Sequence, residues 1–508
     1  MKFVRPALAF AVVALAACGV SPADDAVGTD VGAVVGGAGD AVLVFLDSNV
    51  DVQAASGFSS KDDRGRFVYT TLRDHARASQ ASLLAELGAA RAKEANLRFR
   101  SYHLVNAILL EHATPELLRK IAARPDVRRI ASDEPTMLQV ATPTAEDLEG
   151  SSDAVRADAA AAANIVATGA DRVWSELGVT GEEIVVAGQD TGYAGEHAAL
   201  KRQYRGWDGT TADHRYSWHD AIHGGTGSNP CGFDAAAPCD DQGHGTHTMG
   251  SIVGDDGGSN KIGMAPGARW IGCRNMNRGA GRPSTYLECL EWFLAPYPQG
   301  GDPQADGKPE MAPHVINNSW GCDGSEGCRG QELVQALQNL DAAGILMVVS
   351  AGNSGSGCGT INAQPATISD TTLSVGAYSH TNGKIASFSS RGPSALDGKI
   401  GPDVTAPGVS IRSSLRSGGY GPMSGTSMAG PHVTGQVALL WSAVPELRGN
   451  NAETTRIITR SSKATTTTQT CGGVAGTATP NNTFGWGLID AYAAIRLAQE
   501  PPQPSSSR

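Results

Sequence analysis

Ile184-Val185-Val186-Ala187-Gly188-Gln189-Asp190-Thr191-Gly192 is the stretch on which the fold turns. Its first four residues are apolar without alternation, which reads as a strand buried on both faces. The strand runs into a carboxylate followed by Thr-Gly. A side chain at the C-terminal end of a parallel strand lies on the edge where α/β sheets build their sites. Outward from it, further short apolar runs occur at Arg269–Gly272, Val315–Ile316, Ile345–Val349 and Leu373–Ala377. Helical stretches separate them. Gln331–Ala343 is one, with Leu333, Leu337 and Leu340 on one face and Gly344 placed to cap its end. Unbroken strands alternating with helices predict an α/β fold, a parallel sheet flanked by helices.

Upstream, residues 40–140 form a separate α+β pattern. Ala41–Leu46 is an apolar strand and Leu72–Leu87 a helix with Leu72, Ala76, Leu83, Leu84 and Leu87 in period. Phe99–Leu110 is strand-like with a break near Asn106, and Val127–Ile130 closes the module. Thr114-Pro115 opens a second helix, Thr as N-cap and Pro at the first helical position. This order predicts a small antiparallel sheet with helices on one face. Residues 141–168, rich in Ala, Thr, Ser and Asp, read as a linker, 19–39 as a flexible tether, and 498–508 as a disordered tail.

The 508 residues allow two to four domains at roughly 100–200 residues each. The net charge is −11, and no cluster of Lys and Arg offers phosphates a docking face, so nucleic-acid binding is excluded as the function class. The acidic excess belongs to the last two-thirds, because 40–140 carries 14 basic and 13 acidic side chains. No apolar run reaches the ~18 residues that would span a bilayer. Lys2 and Arg5 precede an apolar stretch from Ala7 to Ala17, the pattern of an export signal over 1–18. Leu15-Ala16-Ala17-Cys18 resembles the bacterial lipobox, which makes Cys18 the expected lipidation site and an N-terminal lipid the only membrane contact.

With Cys18 set aside, Cys231, Cys239, Cys273, Cys289, Cys322, Cys328, Cys358 and Cys471 remain, an even number suited to disulfides in an exported chain. No C-x-x-C pair gives zinc spacing. Eight cysteines allow 105 pairings. Short separations suggest Cys231–Cys239 and Cys322–Cys328 as loop staples, and Cys273–Cys289 with Cys358–Cys471 follow by elimination.

Three segments set one reactive side chain among small residues. They are Gly188–Gly192 around Asp190, Gly243-His244-Gly245-Thr246-His247 before an apolar helix, and Gly425-Thr426-Ser427-Met428-Ala429-Gly430-Pro431-His432 entering the helix Val433–Ala443. Asp-Thr-Gly also occurs in aspartic proteases, but their second carboxylate motif is missing. His-x-x-His hints at metal, but no Glu base or third ligand stands at motif spacing. Gly-x-Ser-x-Ala resembles a nucleophile elbow, yet α/β-hydrolases run Ser, acid, His, whereas this chain runs Asp190, His244, Ser427.

In that order, with Asn317-Asn318-Ser319-Trp320-Gly321 and Ser350-Ala351-Gly352-Asn353, the chain resembles the subtilisin-like (subtilase) serine proteases, within them the bacillopeptidase F-like branch. The resemblance covers 169–497 as the catalytic domain and makes 40–140 an inhibitory propeptide, with a maturation site in 141–168. It implies Ser427 as nucleophile, His244 as general base and acid, Asp190 as its orienting partner, and Asn353 as oxyanion donor. Ser319, Trp320 and Gly321, with Ser350, Ala351 and Gly352, become the substrate-binding walls. His197, His247 and His432 are read as structural. The implied function is an exported serine endopeptidase made as an autoprocessed zymogen. Its partners would be protein or peptide substrates and its own propeptide, and it would act as a monomer. Its chemistry needs no cofactor, and structural calcium enters only by analogy, since no EF-hand spacing exists. The lipid lies on the propeptide side, so maturation is expected to release the catalytic domain to the extracellular space. The competing class is a surface lipoprotein that binds peptides without cutting them. Gln189 stands where an apolar residue is usual and Gly430 where Ser is common. The 54 positions from Asp190 to His244 leave room for a stapled insertion around Cys231 and Cys239.

Overall fold

The computed structural model describes residues 41–47, 50–150, 161–225, 228–322, 328 and 333–500. Cys18, the export signal, the tether and the end of the tail lie outside them. The N-terminal module is a four-stranded antiparallel sheet of β1 (Ala41–Leu46), β2 (Arg98–Tyr102), β3 (Ala107–Glu111) and β4 (Val127–Ser132), in the order β2-β3-β1-β4. Its helices are α1 (Lys61–Arg91) and α2 (Pro115–Ala122), and Thr114 caps α2 by accepting from the Leu117 N–H. Side chains of β1 alternate in direction, as a pleated strand requires. Val42, Val44 and Leu46 pack with Leu83, Leu87, Leu118 and Ile121 of the module's own helices. Leu43 and Phe45 belong instead to a core shared with Tyr286, Leu290 and Phe293 of the following domain.

That domain holds a seven-stranded, all-parallel sheet in the order β14-β13-β12-β11-β6-β8-β7. The strands are β6 (Val185–Asp190), β7 (Trp218–Asp220), β8 (Arg269–Arg274), β11 (Val315–Asn318), β12 (Leu346–Ser350), β13 (Thr372–Tyr378) and β14 (Val404–Pro407). Five match the apolar runs read from sequence to within one residue at the start and run on past their C-terminal ends. β7 and β14 were missed, being short and carrying polar residues or Pro. Between the sheet and the N-terminal module stand β9 (Met276–Asn277), β10 (Ala280–Gly281) and the helix Pro283–Leu294.

Two helices start in the stretch read as linker and just after it: α3 (Ala163–Ala167) and α4 (Ala170–Leu177). Ile165 and Val173 are fully buried in the main core, and Asn164 donates to His432 Nε2 at 2.8 Å. Helical structure packed on the main core therefore starts inside the stretch read as linker, at Ala163. Its small residues gave no apolar period because close packing, not a wide apolar stripe, holds α3. Downstream follow α5 (His244–Val253), α6 (Pro283–Leu294), α7 (Val334–Ala342), α8 (Thr426–Ala443), α9 (Asn451–Ser461) and α10 (Ala491–Gln499). A hairpin of β15 (Ile411–Ser414) and β16 (Tyr420–Met423) lies before α8.

The two modules meet through buried polar pairs as well as the shared core. Arg100 of β2 reaches Glu288 of α6 at 2.9 Å and donates to Tyr297 Oη at 3.0 Å. His219 and His223 also face Glu288, at 2.7 and 3.0 Å. Glu291 accepts the His103 and Leu104 N–H groups at 2.6 and 2.9 Å. Asp133 accepts from the Ser284 N–H at 2.7 Å, at the first turn of α6, where the helix dipole favours a carboxylate. All four disulfides join the expected partners: Cys231–Cys239, Cys273–Cys289, Cys322–Cys328 and Cys358–Cys471.

Candidate active site

Asp190 ends β6 and His244 begins α5, so a strand terminus and a helix terminus converge on one edge of the sheet. His244 Nδ1 lies 2.8 and 3.0 Å from the two Asp190 oxygens. An ionised carboxylate only accepts, so Nδ1 carries the proton and Nε2 keeps its lone pair. Burial opposes charge on His244, but Asp190 outweighs it, and the imidazole pKa lies above the ordinary value. Gly245 makes this approach sterically feasible, since a Cβ there would stand 2.2 Å from the Gly192 carbonyl and 2.9 Å from Asp190 Cβ. Asp240 caps the helix start, accepting from the Gly243 N–H at 2.7 Å and the Thr246 N–H at 3.0 Å.

Ser427 sits in the first turn of α8, and its hydroxyl donates to the Ser319 carbonyl at 3.0 Å. Ser319 Oγ donates back to the Ser427 carbonyl at 3.0 Å. His244 and Ser427 line one cavity of about 370 Å³, together with Met423, Met428, Pro422, Gln139, Val140, Ala141 and Pro143. Asn353 follows the turn at Gly352 beyond β12. Its Oδ1 accepts from the Thr426 N–H at 3.0 Å and the Thr426 hydroxyl at 2.9 Å, which leaves Nδ2 to point into the cleft. That Nδ2 donates to the carbonyl of Gln139 at 3.2 Å.

The chain leading to Gln139 is bound as an extra strand. β5 (Thr136–Met137) pairs antiparallel with β10, and the Leu138 N–H donates to the Gly279 carbonyl at 2.8 Å. Leu138 and Gln139 line a small pocket with Ser319, Trp320, Gly321, Ser350, Ala351, Gly352, Asn353 and Ser427, so the predicted wall residues are brought together. Asn362, Ala363 and Ala366 complete it. The Trp320 ring stacks on Tyr286 with centroids 3.7 Å apart. Sequence reading missed Gln139, the Gly279–Gly281 edge and Thr426. A segment lying in a cleft carries no motif of its own, and only the polar register of Thr426 beside Ser427 could have signalled the third.

The three histidines read as structural bond to backbone carbonyls. His247 Nε2 lies 3.1 Å from the Gly421 carbonyl, His432 Nδ1 lies 2.8 Å from the Met428 carbonyl, and His197 Nε2 lies 3.0 Å from the Gly419 carbonyl. Gln189 is explained by its partners: it donates to Asn318 Oδ1 at 2.8 Å and accepts from Asn275 at 3.1 Å. The insertion is held by Arg274, fully buried, which donates to Asp220 at 2.9 and 2.7 Å and to the Gly232 carbonyl at 2.7 Å. Among the described residues no three His, Cys, Asp or Glu side chains gather as a metal site.

A subtilase-family model matches residues 181–487. The chain belongs to the subtilase family. Bacillopeptidase F of Bacillus subtilis (strain 168) is 35% identical over 437 residues, covering 84% of this chain and 28% of that protein. Serine protease AprX of the same strain is 35% identical over 235 residues, covering 41% and 51%. Subtilisin DY of Bacillus licheniformis is 36% identical over 210 residues, covering 41% and 66%. This subtilase thus spans about a quarter of the length of bacillopeptidase F and half that of AprX. Of these three, the bacillopeptidase F match is the one longer than the family domain itself.

Proposed function

We propose that the protein is an exported serine endopeptidase that first cuts its own chain between Gln139 and Val140. The observation that carries this reading is the Asn353 Nδ2 bond to the Gln139 carbonyl, in a pocket that Ser427 also lines. The bond lies just upstream of residues 141–168, the stretch expected from sequence to hold the maturation site.

The residues divide the work as follows. Ser427 Oγ turns from the Ser319 carbonyl and attacks the Gln139 carbonyl carbon, while His244 Nε2 takes its proton. Asp190 holds the tautomer and stabilises the imidazolium. The oxyanion meets Asn353 Nδ2–H and the Ser427 backbone N–H. On collapse the C–N bond breaks, His244 returns the proton to the Val140 nitrogen, and Gln139 remains esterified to Ser427. Water, deprotonated by the same imidazole, releases Gln139 and restores the hydroxyl. Later protein or peptide substrates add to Ala280–Gly281 as Thr136–Met137 does, through backbone pairing that demands little sequence.

Residues 41–139 then act as an inhibitor that leaves its C-terminus in the cleft. Asp190, His244, Asn353 and Ser427 come from one chain, which suits a monomer. No described helix is long and apolar enough to cross a membrane. A lipid on Cys18 would anchor the precursor, and cutting at Gln139–Val140 separates that anchor from the catalytic unit, which is freed when the propeptide lets go.

Wild type and Ser427→Ala are expressed, incubated with casein and a fluorophosphonate, and subjected to N-terminal sequencing. Wild type yields a chain beginning at Val140, takes the label and digests casein, whereas Ser427→Ala stays uncut. Equal processing and proteolysis by both proteins would overturn the reading. Mature enzyme confined to the membrane pellet would overturn release.

A further inference from the structure

The segment after the scissile bond is built onto the catalytic domain. Asp147 is buried, and its Oδ1 accepts from the Ser387 N–H at 2.8 Å while its Oδ2 accepts from the Ser387 hydroxyl. The same carboxylate closes a turn, accepting from the Thr144 N–H at 2.8 Å and the Thr144 hydroxyl at 2.9 Å. Thr381 Oγ1 donates to the Glu149 carbonyl at 2.7 Å, and Lys384 pairs with Glu146 at 2.9 Å. Every one of these outside partners, Ser387, Thr381 and Lys384, lies in the catalytic domain. None depends on the bond between Gln139 and Val140.

The clamp faces the leaving-group side of the cleft. The cavity of about 370 Å³ has Val140, Ala141, Pro143 and Leu148 on one wall and His244, Met423 and Met428 on the other. Ala141 packs near Gly425, immediately before the nucleophile's helix. Val140 itself is 66% exposed, so little side-chain burial holds it. Its hold comes from the tether: the seven residues from Asp147 reach at most about 25 Å, which bounds how far Val140 can move from that anchor. A tethered segment of this length acts at an effective concentration of roughly millimolar.

We infer that Val140–Gly150 stays clamped through Asp147 after the cut and serves as an intramolecular competitor for substrate residues on the leaving-group side of the scissile bond. This rests on the cut proposed above. A substrate that spans the cleft must displace Val140 and Ala141, whereas one that ends in a small leaving group need not. The clamp therefore sets a selectivity for how substrate extends past the cut, separate from the pocket that takes the residue before it.

Processed wild type, Asp147→Ala, Ser387→Ala and Lys384→Glu are compared on two substrates. One is a tetrapeptide 4-nitroanilide; the other is an internally quenched octapeptide with four residues beyond the cut. Lys384→Glu guards against misfolding, because it changes only an exposed side chain and sets like charge against Glu146 and Glu149. Loosening the clamp is expected to lower KM for the octapeptide about tenfold with kcat unchanged, and to alter anilide hydrolysis less than about twofold. Lys384→Glu should move the same way by a smaller factor. An equal change on both substrates, or none on either, overturns the inference. So does a mature wild-type chain whose N-terminus lies beyond Gly150. If wild type hydrolyses neither substrate, the proteolytic reading falls and the clamp has nothing to compete for.

Discussion

His244 and Asp190 define a pH dependence that belongs to single residues. In the proposed mechanism His244 acts as base only when neutral, and although burial opposes its charge, Asp190 raises its pKa above the ordinary 6.5. The acid limb of kcat/KM is therefore expected above pH 6.5, with activity falling as pH drops through it. Asp190→Asn removes the carboxylate, leaves burial to lower the pKa, and should cost on the order of 10⁴ in kcat. A profile whose limb stays in place in that variant would contradict the assignment. Asn353→Ala should cost on the order of 10²–10³ in kcat with little change in KM, a figure taken from subtilisin's own oxyanion Asn. Asp190, His244 and Ser427 stood out in sequence as single reactive side chains among small residues, in the order Asp, His, Ser, and Asn353 came only with the family resemblance. Gln139 was not, since its place depends on the register of β5 against β10 and not on its side chain.

At the scale of elements, the buried strands were legible wherever at least two large apolar residues stand together or one position apart. β7 reads Trp-His-Asp and β14 Val-Thr-Ala-Pro, and neither pattern separates a short strand from a loop. α3 escaped notice because Ala and Asn pack through small size and one hydrogen bond. The disulfides staple elements over very different spans, from 6 residues for Cys322–Cys328 to 113 for Cys358–Cys471. If loop closure in the unfolded chain dominates, removing the longer loop costs about 5 kcal/mol and the shorter about 2. On the inactive Ser427→Ala background, Cys358→Ala/Cys471→Ala should thus lower Tm more than Cys322→Ala/Cys328→Ala. The reverse ranking would show that local fixation matters more than chain entropy.

On the scale of the whole molecule, the docking of the N-terminal module had one signal in the sequence. Ala41–Leu46 is apolar throughout, although helices cover only one face of its sheet. The second face, with Leu43 and Phe45, needed a cover, and the catalytic domain supplies it. Nothing in the sequence identified the buried Arg100–Glu288 pair, because charge pairing across 188 positions has no period. Arg100→Met on the Ser427→Ala background leaves Glu288 facing only His219 and His223. It should weaken docking by roughly 3 kcal/mol, the low end for breaking a buried pair. Faster hydrogen exchange of β1–β4 and quicker trypsin removal of the module would register that loss. Unchanged protection would mean the shared apolar core alone holds the two parts together.

The Cys358–Cys471 bond has a further consequence for an enzyme stored among copies of itself. It joins the loop just past Asn353 to a point beyond Ser427, so these two residues lie on the two sides of any nick between them that falls after Cys358. Such a nick leaves both pieces covalently one molecule. Self-digestion in that region would be visible on a reducing gel and invisible on a non-reducing one, and a scarred protein could persist as a single particle instead of shedding half its machinery.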